Sequence, residues 1–120
     1  MKVNYYIESG KLIARSKGSH ATLWESDFGG VKVFKIFPLE DGDDCIVLLD
    51  PGSSKQTTFE NLMRIDSSGY VRWRARLPRS NDAFADVLRC GDQIEATTWN
   101  GMRVQINVKT GQATEKGFSK

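Results

Sequence analysis

The chain has 120 residues, 17 Lys and Arg against 15 Asp and Glu, a formal net charge of +2 and a hydrophobic fraction of 39%. This length suits one domain that buries its own core, and the ordinary charged and aromatic contents argue against intrinsic disorder. No apolar run approaches the roughly 18 residues that a membrane-spanning helix needs, and the N-terminus lacks the apolar region of an export signal. We therefore expect a single cytoplasmic domain over residues 1–120, with no membrane segment.

Most of the chain is predicted to form β-strands, because apolar and polar residues alternate with a period of two. The alternation is strict over residues 70–77 and 102–108, whereas residues 46–49 form a short apolar run typical of a core strand. Residues 82–88 are the nearest helical candidate, and a strand is favoured there. In chain order, the predicted strands are 3–8, 11–15, 21–25, 31–37, 45–49, 61–65, 70–77, 83–90, 93–99, 102–108 and 112–117.

Hairpin turns are predicted where Gly follows a small polar residue between two strands. An Asn-Gly pair is the strongest of these signals, because a type I′ turn requires positive φ at both of its central residues. We therefore predict a type I′ turn at Asn100-Gly101. The other predicted turns are Ser9-Gly10, Ser68-Gly69 and Thr110-Gly111.

The predicted strands fall into three units with a common order, at residues 3–26, 31–77 and 83–118. Repeated antiparallel units of up to four strands, spaced by about 40 to 50 residues, have the period of propeller blades. A closed propeller needs at least about four blades, so a compact monomer or a simple dimer is favoured over a ring built from two chains. The predicted fold is all-β, an antiparallel meander of blade-like units of three to four strands. These units pack as a sandwich, a flattened barrel or an incomplete propeller.

Residues 65–73, which read Ile-Asp-Ser-Ser-Gly-Tyr-Val-Arg-Trp, resemble the tryptophan motif of quinoprotein-type β-propeller repeats. In that family the motif links the third and fourth strands of a blade, and its tryptophan docks between neighbouring blades. The resemblance implies this role for Trp73. Residues 106–115 keep the Thr-Gly turn of the motif but have Glu115 at the position of the tryptophan. The quinone cofactor of that family needs a larger closed propeller with its own ligands, so no cofactor is expected here.

Residues that could carry out catalysis are scarce. His20 is the only histidine, and Cys45 and Cys90 lie far apart without the spacing of a zinc or redox site. Both cysteines border predicted strands, where reduced thiols behave as small apolar groups. Because paired carboxylates, a nucleophile with its base and a phosphate-binding loop are all missing, we predict that the chain is not an enzyme and holds no metal.

An acidic segment, residues 40–44, joins two predicted strands and has three interpretations. It could be a solvated turn, a calcium site or an acidic loop that meets a basic partner. As exposed charges, its carboxylates are expected to contribute little to stability. Trp99 is a second candidate contact, because it precedes a tight turn and exposed tryptophans often dominate binding interfaces. The predicted partner-binding residues are Glu40, Asp41, Asp43, Asp44, Trp99 and Asn100.

Arg72, Arg74 and Arg76 form a basic stripe on one face of the predicted strand 70–77. The stripe could contact phosphate groups of a nucleic acid, or it could protect an edge strand from unwanted pairing. Alternation places Trp73 on the opposite face, where it cannot stack a base beside the arginines. Edge protection is therefore favoured, and nucleic acid is an unfavoured partner.

The sequence therefore predicts a non-catalytic module that binds another protein. In size and class the chain is comparable to cytoplasmic immunity proteins, which neutralise a toxin, and its predicted partner would be a basic toxin domain. Two alternatives stay open, a nucleic-acid-binding β-protein that uses the arginine stripe and a fragment that assembles into a larger propeller.

Overall fold

The computed structural model describes residues 3–39 and 43–118, and these residues contain eleven β-strands. Short 3₁₀ turns occur at Phe28–Gly30 and Pro51–Ser53. The strands are β1 (Val3–Glu8), β2 (Lys11–Ser16), β3 (Thr22–Ser26), β4 (Val33–Pro38), β5 (Cys45–Leu49), β6 (Leu62–Ile65), β7 (Val71–Arg74), β8 (Phe84–Cys90), β9 (Gln93–Thr98), β10 (Met102–Asn107) and β11 (Ala113–Phe118).

The strands form three antiparallel sheets, which we call blades 1, 2 and 3. Blade 1 has the order β1-β2-β3, blade 2 the order β4-β5-β6-β7, and blade 3 the order β11-β10-β9-β8. Each strand pairs with the next one along the chain, so every blade is a meander. The all-β fold class and the grouping of the strands are confirmed, and the arrangement is an incomplete propeller. The helical candidate is a strand, Phe84–Cys90.

Blade 2 lies in the middle, and its central strands β5 and β6 are covered on both faces. In β5, Ile46 and Leu48 join the apolar cluster shared with blade 3, whereas Cys45, Val47 and Leu49 join the cluster shared with blade 1. All five residues of β5 are buried. A strand covered on both faces needs no polar side, which explains why this segment is a continuous apolar run instead of an alternating one.

The outer face of blade 3 is mostly polar. Along this face the cross-strand neighbours are Leu88, Glu95, Gln105 and Thr114, while the opposite face buries Ile94, Val104 and their neighbours against blade 2. A polar outer face is typical of the end repeat in a stack of repeats. Blade 3 therefore ends the stack without an apolar face for a further blade.

The outer face of blade 1 carries ion pairs around a small apolar group. The guanidinium of Arg15 lies 3.0 Å from the carboxylate of Glu8 and 5.7 Å from the ring centre of Tyr6. Tyr6 is 40% exposed. The buried surface of this blade is its other face, which packs on blade 2 through Tyr5, Leu12 and their neighbours.

The turns differ from the predicted set at one position. Ser9 and Gly10 have φ of 52° and 77°, as a two-residue type I′ turn requires. The type I′ turn predicted at Asn100-Gly101 is wrong, because β9 and β10 are joined by three residues and only Gly101, with φ of 91°, is left-handed. The Asn100 amide is bonded outside its own hairpin, to the carboxylate of Asp82 at 3.1 Å.

The two ends of β5 define two ends of the molecule. The upper end lies beyond Leu49 and includes the β5–β6 loop, the segment before β8 and the β9–β10 loop, which meet at one cleft. The lower end lies before Cys45 and includes Asp44 and the connection from β10 to β11, whose Val108 carbonyl bonds to Arg64. The five residues of β5 separate these ends by about 16 Å.

Candidate functional site

The acidic segment at the lower end is partly structural. Asp44 is 1% exposed, and its Oδ2 lies 2.8 Å from Nε of Arg64 and 2.9 Å from Nε of Arg72. Arg64 also donates to the main-chain carbonyl of Val108, which ties blade 2 to blade 3. The expectation that Asp44 is a free surface carboxylate is wrong, because strands β6 and β7 bring two arginines onto it.

Asp43 is the other acidic residue of this segment that the structure describes. Asp43 is half-buried, and its main-chain carbonyl accepts a hydrogen bond from the Tyr5 hydroxyl. Burial, with smaller contributions from nearby acidic groups, raises the pKa of Tyr5 well above its usual value, so this hydroxyl stays protonated as a donor. Glu40 and Asp41 lie outside the described residues, so their predicted contact with a partner stays a prediction.

The arginine stripe begins on β7, the edge strand of blade 2, which carries Arg72 and Arg74, whereas Arg76 follows the end of this strand. Arg72, Arg74 and Arg76 are exposed, while Trp73 is buried on the other face, as the alternation predicts. Two of these arginines contact the protein, since Arg72 pairs with Asp44 and Arg74 donates to the carbonyl of Glu60. A charged edge strand resists pairing with another chain, in agreement with the favoured interpretation.

Two tryptophans join the blades in the same way. The Nε1–H of Trp73 donates to the Val108 carbonyl of blade 3 at 2.8 Å, so the interblade docking that the resemblance implies is confirmed. The Nε1–H of Trp24 donates to the Ser67 carbonyl of blade 2 at 2.7 Å. From its residue type, Trp24 was expected in the core or at a blade junction, but the motif does not mark this contact, because the turn before Trp24 lacks the aspartate and the glycine spacing. In blade 3 the equivalent residue, Glu115, pairs with Arg79.

A cleft of about 180 Å³ opens at the upper end, where blades 2 and 3 meet. Its wall on the blade 2 side comes from the β5–β6 loop, and its wall on the blade 3 side from the segment before β8 and from the β9–β10 loop. Trp99 stands at this cleft with 72% of its surface exposed. The lining residues are Pro51, Gly52, Gln56, Thr57, Asn81, Asp82, Ala83 and Trp99.

Asp82 holds the walls of the cleft in place and is 4% exposed. Its Oδ1 accepts hydrogen bonds from the main-chain amides of Ala83 at 2.9 Å and Asn100 at 3.1 Å. Its own carbonyl accepts from the Phe59 amide at 2.9 Å, so the same residue also connects to blade 2. Sequence analysis did not identify Asp82, because its partners come from three separate loops.

Further bonds fix the β9–β10 loop that carries Trp99. The Trp99 amide donates to the carbonyl of Ala83 at 2.8 Å, and the Asn100 side chain donates to the carbonyl of Asn81 at 3.1 Å. The main-chain amide of Asn81 in turn donates a hydrogen bond to Thr58 Oγ1 at 2.8 Å. The backbone on both sides of the exposed indole is therefore held before any partner arrives.

The predicted partner-binding residues that the structure describes lie at two ends of the molecule. Trp99 and Asn100 lie at the upper end, whereas Asp43 and Asp44 lie at the lower end, beyond the full length of β5. Asp43 and Asp44 are therefore not neighbours of Trp99, and their contact with a partner stays a prediction. They are separated because successive connections of a meander alternate between its ends, which puts the β4–β5 and β9–β10 connections at opposite ends of the blades.

Among the described residues, neither His20 nor Cys45 has an ion-pair partner. His20 is exposed in a turn with φ of 59°, and the Cys45 thiol is free and buried. Burial raises the pKa of Cys45 to about 12, which keeps the thiol protonated. Cys90 lies on β8, and its side chain is outside the described set. Within residues 3–39 and 43–118, no three His, Cys, Asp or Glu side chains stand together as metal ligands.

Comparison with known proteins identifies the family but no activity. A family model described as "Domain of unknown function (DUF7957)" matches residues 31–118. The chain belongs to this family. The match to the family model thus covers all of blades 2 and 3, and both walls of the cleft lie within it. None of the curated proteins compared with the chain matches it.

Among solved structures, the chain is similar to BamB from Moraxella catarrhalis, with a TM-score of 0.57 and 13% identity. The match covers 97% of this chain and 35% of the BamB chain, so the DUF7957 chain spans about a third of that protein's length. At this identity the likeness concerns the fold alone and supports the propeller-like arrangement of blades. No helix in the described parts of the chain has the length and apolar character needed to cross a membrane.

Proposed function

We propose that this DUF7957 protein is a non-catalytic module that binds another protein through the upper end of blades 2 and 3. The observation that carries the proposal is the 72% exposure of Trp99 beside a cleft. A large aromatic side chain left in water is a typical anchor of a binding interface.

The rigidity of the surrounding backbone supports this function. Amides of Trp99 and Asn100 are bonded to Ala83 and Asp82, so binding would order little of the chain. A surface that is already ordered loses less conformational entropy on association. The cleft beside Trp99 offers a recess for a protruding side chain of the partner.

We propose further that the partner is a toxin which the protein neutralises in the cytoplasm. Support for this narrower function comes from the small size of the domain and the scarcity of catalytic groups. The test is co-expression of the DUF7957 protein with the product of the gene next to it. Restored growth of cells that otherwise die supports the toxin inhibitor, and continued toxicity rejects it for that partner.

The binding surface is tested by comparing two equally exposed aromatic residues at opposite ends. Trp99 and Tyr70 are both 72% exposed, and Tyr70 follows the Asp66–Gly69 turn at the lower end. For a partner that co-purifies with the wild-type protein, Trp99→Ala is expected to weaken binding at least tenfold, while Tyr70→Ala leaves it unchanged. Equal effects of the two substitutions would place the interface elsewhere.

A further inference from the structure

We propose that the cleft beside Trp99 binds the guanidinium group of an arginine side chain. This inference deepens the proposed function, on which it rests, by naming the group of the partner that enters the cleft. Three features carry it: a buried carboxylate that forms no ion pair with the described residues, an exposed indole, and neutral polar residues along the rest of the lining.

The carboxylate of Asp82 is the central feature. Both of its amide donors bind Oδ1, so Oδ2 is the atom that can accept a hydrogen bond from a ligand in the cleft. Among the described residues, no ion pair involves Asp82, and the lining of the cleft contains no Lys or Arg. A buried carboxylate is stabilised by a cation, so an incoming positive charge gains more here than at the surface.

The indole of Trp99 favours a flat cation over a compact one. A guanidinium group stacks on an aromatic face and presents several N–H donors in one plane, whereas an ammonium group is a more strongly hydrated point charge. Gln56, Thr57 and Asn81 also line the cleft, and their side chains carry oxygens that can accept hydrogen bonds. This set of groups matches an arginine better than a lysine.

The size of the cleft agrees with such a ligand. A cleft of about 180 Å³ has room for several water-sized groups. A guanidinium group with part of its aliphatic stem fits this space, whereas a folded loop does not. The partner therefore contributes one protruding side chain to the cleft, and the rest of the interface lies around it.

The test uses small probes, so that it does not depend on an identified partner. The wild-type protein is titrated separately with three probes: Nα-acetyl-arginine amide, the corresponding lysine analogue, and Nα-acetyl-citrulline amide, which is neutral and similar in shape to the arginine probe. Binding is followed by the NMR shifts of the Asn100 amide and the Trp99 indole N–H. Saturable shifts with the arginine probe, weaker ones with the lysine analogue and none with the citrulline probe are expected.

Asp82→Asn is the decisive variant, because an amide oxygen can still accept from the two main-chain amides while the negative charge is lost. We expect this variant to bind the arginine probe at least tenfold more weakly than the wild type. Trp99→Leu removes the aromatic ring but leaves the main-chain hydrogen bonds of the loop in place. This variant is also expected to bind the arginine probe more weakly than the wild type. Equal responses to arginine and citrulline, or unchanged affinity in a folded Asp82→Asn variant, would overturn the proposal.

Failure of this inference differs from failure of the proposed function. If the arginine probe does not bind but Trp99→Ala still weakens the complex with a captured partner, the interface stands and the guanidinium site is wrong. If the probe binds and the same substitution leaves the complex intact, the cleft is an arginine site outside the partner interface, and the proposed function is wrong.

Discussion

The indole of Trp73 lies directly on the backbone of Gly111, across the junction between blades 2 and 3. A Cβ atom placed on Gly111 would lie 2.6 Å from two atoms of the indole ring, and Gly111 itself has φ of 77°. The indole N–H reaches past this turn to the carbonyl of Val108. Position 111 therefore requires glycine for two reasons: its backbone is left-handed, and the indole ring approaches it too closely for a Cβ atom.

Gly111→Ala is expected to destabilise the protein by about 2–4 kcal/mol, which combines the cost of a left-handed alanine with that of overpacking. Gly91→Ala is the matched control, because Gly91 has φ of 62° but no atom within 4 Å of an added Cβ. The control should show only the backbone cost of about 1–2 kcal/mol. Urea unfolding of both variants measures the difference, and equal losses would contradict the docking of Trp73 on this turn.

Trp73→Ala is expected to lower the free energy of unfolding by about 3–5 kcal/mol, because it leaves a large cavity and removes one of the two side-chain hydrogen bonds to the Val108 carbonyl. Trp99→Ala removes the same side chain from an exposed site, so it should change stability by less than about 0.5 kcal/mol. Denaturant unfolding by circular dichroism makes the comparison without relying on tryptophan fluorescence. A harmless Trp73→Ala would rule out its role in joining the blades.

The strands of this fold could be predicted because each blade keeps its own alternation. In β10 the buried residues Met102, Val104 and Ile106 alternate with more exposed ones, and the sequence displays this pattern directly. The motif around Trp73 also placed one blade junction correctly. Trp24 could not be recognised in this way, since its docking depends on the shape of blade 2 and not on residues near it in sequence.

The candidate site was harder to predict, because its bonds connect distant loops. Asp44 has the sequence context of a solvated turn, and only the pairing of β6 with β7 shows that Arg64 and Arg72 reach it. In the same way, the carboxylate of Asp82 accepts a hydrogen bond from the main-chain amide of Asn100, which belongs to another loop. Trp99 was identified from its place before a turn, but the cleft beside it arises from the packing of two blades.

Cys45 is expected to make the protein less stable at alkaline pH. Burial raises its pKa from 9.0 to about 12, so the folded state keeps a proton that the unfolded state loses between these values. Stability should therefore fall as pH rises above about 9, by up to about 1.4 kcal/mol per pH unit. Urea unfolding of Cys90→Ser between pH 8 and 10 tests this, with Cys45→Ala added as the control. The same slope in both variants would assign the effect to other groups.

The buried thiol should also resist chemical modification. In a Cys90→Ser background, Cys45 is the only thiol, and a thiol-specific reagent at pH 8 should label it only after denaturation. The labelled fraction of folded and urea-unfolded samples is read by mass spectrometry. Rapid labelling of the folded protein would contradict the burial of the Cys45 side chain at the junction of blades 1 and 2.

Asp44→Asn is expected to cost about 3 kcal/mol of stability, because it leaves the largely buried Arg64 without its anion and weakens the tie to Val108. Asp43→Asn is the matched control next to it, since Asn tolerates the left-handed backbone there, and it should cost less than about 1 kcal/mol. Unfolding in urea at two salt concentrations compares them. If the two neighbours cost the same, the ion pairs of Asp44 contribute little, and the carboxylate becomes available again for a partner.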